Sequence, residues 1–128
     1  MVPSMSTRAI SLVRQDAADG CVVVLTGEHD LSSVDELRDA FDQASAARSV
    51  MIDLSETAFI DSAVLGALIA SHREATEHGR RWALIVGNGS GAAVRRILEL
   101  TGLDAVMPVY SSREEAASQP FPPEGTTA

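Results

Sequence analysis

Apolar and polar positions along the chain alternate between two periods. Residues 8–14 (RAISLVR) alternate as an edge strand does, and the polar stretch DAADG feeds a continuous apolar run, CVVVLTG, which predicts a central strand. The spacing of Ser33 and Glu36 predicts a capping box. It opens a helix that buries Val34, Leu37, Phe41 and Ala44 and ends near Ala47. Residues 50–54 predict the next strand, residues 62–78 a second helix stopped by Gly79, and residues 82–86 a further strand. After the loop GNGSG, Ser90 is the expected cap of a helix carrying Val94, Ile97 and Leu98 and closed by Gly102. Residues 106–109 predict a short edge strand, where Pro108 is tolerated, and Ser112 with Glu115 predicts a last short helix. Two strands before the first helix, then alternation, give an α/β domain with a mixed sheet and helices packed against it.

In the second helix, Leu65, Leu68, Ile69 and His72 follow the i, i+3, i+4, i+7 spacing of one buried face. Ala63, Gly66, Ala67 and Ala70 then fall on the outer face, where small side chains let another backbone approach. Asp61 is placed to accept hydrogen bonds as the N-cap, which leaves Ser62 in the first turn beside free backbone N–H groups.

Composition narrows the class. The 128 residues are the length of one domain, and 45% hydrophobic content is enough for a packed core. Residues 1–7 read as a flexible start, 8–117 as the domain, and 118–128 (SQPFPPEGTTA) as a disordered tail. The formal charge of −8 repels phosphate backbones and anionic lipid, so nucleic acid is not an expected partner. No apolar stretch approaches a membrane span and the start lacks signal-peptide character, so membrane insertion is not expected and the cytoplasm is the expected compartment. Cys21, the lone cysteine, reads as a small buried hydrophobe.

Several chemistries fail on spacing. A hydrolase nucleophile elbow needs glycine two residues either side of the serine, and Ser62 has Ile60 and Val64 there. GNGSG lacks the lysine and hydroxyl pair of a nucleotide loop, so it reads as a tight turn before a helix. Asp30, Asp53, Asp61 and His29 could gather round a cation, yet strand-terminal acids commonly serve as caps and turn residues, and no metal is expected. Asp53 also resembles the phospho-acceptor of a response-regulator receiver, but receivers use a late-strand lysine and all ten basic residues here are arginine. Ser62 as a substrate remains. A phosphate there adds about −1.5 to −2 charge, which a helix N-terminus tolerates and a docked partner beside Asp61 and Asp30 does not.

TGEHD at 26–30, followed by SSVDEL, and DLSETAFIDSAVLGAL at 53–68 together resemble the anti-sigma-factor antagonist domain, or STAS domain, of bacterial partner-switching systems. The resemblance covers residues 8–117. It implies a single STAS-like domain: a mixed sheet of four or five strands with helices packed on one side. It implies that Ser62, the serine directly after the second motif's aspartate, is phosphorylated by an anti-sigma factor with ATP-using serine kinase activity and restored by a metal-dependent serine phosphatase. The unphosphorylated form then binds the anti-sigma factor and frees the sigma factor. Asp30 matches the first motif's aspartate, near the phosphorylation site. Family members commonly read Asp-Ser-Ser/Thr-Gly-Leu-Gly where this chain has Asp61-Ser62-Ala63-Val64-Leu65-Gly66. The expectation is a non-enzymatic, cofactor-free regulator of transcription, meeting its partner through Asp30, Ser32, Ser33, Ile60, Asp61, Ser62, Ala63, Val64 and Gly66. The alternative is a binding or scaffold subunit of a stress-signalling or lipid-transport assembly that is not phosphorylated. An enzyme built on Asp30, Asp61 and Ser62 would need a deep pocket with converging polar groups.

Overall fold

A computed structural model describes residues 8–15, 19–87, 89 and 91–118. The expected flexible start, part of the DAADG turn, the Ser90 cap and the tail from residue 119 onward lie outside these. Five strands form one sheet in the order β1-β2-β3-β4-β5: Ala9–Gln15, Gly20–His29, Ser49–Ile60, Arg81–Ile85 and Val109–Tyr110. The β1/β2 pair is antiparallel and the other three pairs are parallel, so the sheet is mixed.

Burial on both faces explains why β2 is an unbroken apolar run. Cys21, Val23 and Leu25 enter the larger core, while Val22 enters a second cluster with Met51, Ala83 and Ile85. β1 lies at the edge, with Ile10 and Leu12 half-buried against the larger core and Val13 exposed. Three helices, α1 (Val34–Ala44), α2 (Ser62–Glu77) and α3 (Ala92–Thr101), contribute Leu37, Phe41, Leu68, Val94 and Leu98 to that larger core. The short α4 (Arg113–Ala117) packs Ala116 into the second cluster, on the opposite face.

Local expectations and structure differ at five points. β3 continues to Ile60 rather than stopping at Leu54, because β2 is also longer and pairs with it as far as His29↔Ile60. The polar residues that interrupt its pattern are accommodated. Thr57, fully buried, donates Oγ1–H to the Leu25 carbonyl at 2.8 Å. The capping box of α1 does not form, since Ser33 makes no side-chain cap and its hydroxyl is engaged with His29 and the Asp30 carbonyl. The last strand begins at Val109, because Leu103–Ala105 form a 3₁₀ turn that leaves Val106 exposed. α1 ends at Ala44 rather than near Ala47. Finally, α2 is rotated from its expected orientation. Val64, Ala67, Leu68 and Ala75 are buried, while Leu65, Ile69 and His72 are half-buried, because the helix packs against α1 as well as the sheet.

Candidate functional site

The C-terminal ends of β2 and β3 carry the residues singled out by sequence, and Asp61 joins them. Asp61 leaves β3 in an extended conformation and caps α2, its Oδ1 accepting from the Val64 N–H at 3.0 Å. Its other oxygen, Oδ2, accepts from the Leu31 N–H at 3.0 Å, across thirty positions of sequence. One carboxylate thus fixes the start of α2 and the 3₁₀ turn Leu31–Ser33 that follows β2. Ser62 is the first residue of α2 and is exposed, and its hydroxyl has no hydrogen-bond partner among the described residues.

Asp30 caps the 3₁₀ turn. It accepts from the Ser32 N–H at 2.9 Å and the Ser32 hydroxyl at 2.5 Å, and Arg8 Nη1 stands 3.4 Å away. These Ser32 hydrogen bonds, with Arg8 behind them, hold the Asp30 carboxyl below the usual range. Arg8 also donates to the Ser32 Oγ at 2.9 Å. Beneath the turn, His29 is fully buried, with Nδ1 at 3.1 Å from Ser33 Oγ and Nε2 at 3.0 Å from the Thr26 carbonyl. Burial pushes the His29 pKa below its ordinary value, against the Thr26 carbonyl, which favours the protonated ring.

The nine expected contact residues divide by exposure. Asp30, Ser32, Ser62 and Gly66 are exposed, Asp61 and Ala63 are half-buried, and Ser33, Ile60 and Val64 are buried. Val64, at 0% exposure, lies wholly in the core, and its N–H is taken by Asp61. Two apolar side chains beside the site carry no periodic signal in the sequence. Leu31 is 72% exposed on the turn that Asp61 holds, and Phe59 is 44% exposed near the end of β3, opposite Glu28.

The acids do not gather round a cation. Asp53 is buried on β3, where its Oδ2 accepts from Arg113 Nε at 2.7 Å and its Oδ1 accepts from the Ser55 N–H. Burial alone would raise its pKa, but the hydrogen bonds from Ser55 and Arg113 outweigh that and lower it. Among the described residues no three His, Cys, Asp or Glu side chains are grouped to hold a metal. A groove of about 310 Å³ lies between α1 and α2, lined by Arg38, Phe41, Ala67, Ala70 and Glu74 among others and not by Asp30, Asp61 or Ser62. No helix of the described residues is long and apolar enough to cross a membrane.

A family model described as "Mlab, STAS domain" matches residues 12–109. The chain belongs to the STAS domain family. A curated relative, the anti-sigma F factor antagonist of Paenibacillus polymyxa, is 28% identical over 101 residues, covering 77% of this chain and 84% of that protein. The crystal structure of an anti-sigma factor antagonist from Mycobacterium paratuberculosis superposes with a TM-score of 0.72 at 26% identity, over 86% of this chain and 92% of that one. The Bacillus cell fate determinant SpoIIAA in its phosphorylated form shares the fold, with a TM-score of 0.64 at 22% identity over 85% and 96% of the two chains.

Proposed function

We propose that this STAS domain is an anti-sigma factor antagonist, which binds an anti-sigma factor with serine kinase activity through the surface around Ser62. Phosphorylation of Ser62 ends the complex and a metal-dependent serine phosphatase restores it. The observation that carries this reading is the exposed Ser62 hydroxyl at the start of α2, unengaged among the described residues, one residue after the carboxylate that holds the neighbouring turn. Two relatives named as anti-sigma factor antagonists support it. A phosphate at Ser62 would add about −1.5 to −2 charge beside Asp61 and Asp30. The domain bears that charge at a helix N-terminus, where the backbone dipole is positive. A partner that must desolvate the same spot would lose affinity.

Burial narrows what separates this chain from the family motif. Val64 stands where the family has a hydroxyl residue's glycine neighbour, yet its side chain lies in the core, so the surface that a kinase meets differs chiefly at Ala63. That remaining difference favours, as a second reading, a binding subunit of the same fold that is never phosphorylated. Co-purification separates the two by the presence or absence of a kinase-like ATPase. With such a kinase and ATP, one phosphate is expected, mapped to Ser62 by mass spectrometry and absent from Ser62→Ala. Phosphate at another residue, or none from a kinase that binds the domain, would overturn the switch.

A further inference from the structure

We propose that Arg8 is the internal counter-charge for a phosphoryl group on Ser62, leaving the Asp30 turn to pair with it. This inference rests on Ser62 being the regulated position. Arg8 directly precedes β1, whose first pair is Ala9↔Thr26, and β2 in turn pairs Thr26↔Glu56 and His29↔Ile60 with β3. Arg8 and the end of β3 are therefore about two strand spacings apart across the sheet, roughly 10 Å, and offset by about two residues along it, roughly 7 Å. An extended arginine and a phosphoserine approach each other across that gap from both sides.

Contacts already run along this line. Arg8 Nη1 touches Ser32 Oγ at 2.9 Å, Leu31 precedes Ser32, and the Leu31 N–H is bonded to Asp61, the neighbour of Ser62. Among the described residues Arg8 is the arginine whose contacts fall on this turn. Arg113 is committed to Asp53, Arg95 bonds the Val86 carbonyl and Ser111, and Arg14 sits at the far end of β1 opposite Cys21.

Exchange of partners costs little. The Arg8–Asp30 contact is long, 3.4 Å, with side chains 41% and 54% exposed, the class of ion pair that solvent screens most. Asp30 keeps both Ser32 hydrogen bonds when Arg8 leaves. A phosphate dianion offers the guanidinium charge-assisted, bidentate hydrogen bonds, which are stronger than its present contacts. The unphosphorylated surface thus shows Arg8 over the Asp30 turn, and the phosphorylated surface shows it drawn toward α2.

The test uses the full chain with phosphoserine installed at position 62 during translation, so it does not depend on any kinase. The second ionisation of the phosphate is followed by ³¹P NMR against pH at about 0.15 M salt, where exposed charges beyond roughly 8 Å are screened. In Arg8→Ala the midpoint is expected to rise by about half a pH unit, threefold in the proton affinity, relative to the otherwise unaltered phosphoprotein. Arg96→Ala, on the exposed side of α3, is expected to leave it in place. Superimposable titrations of the parent and Arg8→Ala, or an equal rise in Arg96→Ala, would overturn the proposal. Failure of a kinase to modify Ser62 overturns the regulatory reading instead and leaves this measurement standing.

Discussion

Asp61 shows how far a single side chain can be read from sequence. Its N-cap role follows from an acid placed just before an apolar-periodic run, and the bond from Val64 N–H is the expected one. Its second bond, to Leu31, has no local signal, because the two positions meet only when β2 and β3 lie side by side. The two roles are separable. Asp61→Ala loses both and is expected to lower stability by about 1–2 kcal/mol in urea unfolding. Asp61→Asn keeps one acceptor oxygen, so it retains the cap while the Leu31 amide exchanges with deuterium faster than in the parent. Ser33 went the other way. Its spacing to Glu36 suits a capping box, but a buried His29 below it offers a partner that three-residue spacing cannot reveal.

Among the elements, α4 is the one whose packing was least legible. Its start was readable: Ser112 Oγ accepts from the Glu115 N–H at 3.0 Å, as the spacing predicts. Its attachment was not, because Arg113 reaches Asp53 from sixty positions away. The acid that ends an apolar run therefore holds a helix across the second face of the sheet. Arg113→Ala is expected to destabilise the domain by about 1–3 kcal/mol, since it leaves Asp53 buried with fewer partners. The same substitution should shrink the loss of stability on acidification: the lowered Asp53 pKa contributes stability that is present above about pH 3.9 and lost as pH falls through the folded value. Acid titration of the urea midpoint measures both. The turn before α3 depends on space instead. A Cβ on Gly91 would stand 2.9 Å from Gly87 N and 3.0 Å from the Leu54 carbonyl, so Gly91→Ala is expected to cost about 1–3 kcal/mol in the same assay.

Over the whole molecule, acid should weaken the fold in two windows. His29 and His72 have pKa values lowered by burial, so the unfolded chain binds protons more readily than the folded one below about pH 6.5. Their contribution is complete above that value and is lost as pH falls toward the folded pKa values. The slope of stability between pH 7 and pH 5 is expected to flatten in His29→Gln, whatever the offset at neutral pH. The second window, below about pH 4, belongs to Asp53 and, at the surface, to Asp30. Periodicity and turn chemistry within a few residues are enough for the α/β class, for the order of helices and strands, and for a serine in the first turn of a helix behind a capping acid. It took the packed fold to show that Asp61 holds the Leu31 turn, that Asp53 pairs with Arg113, that Val64 is core and that Arg8 lies over the Asp30 turn. Those are matters of strand register and helix rotation, set by packing between segments distant in the chain, and no local pattern encodes them.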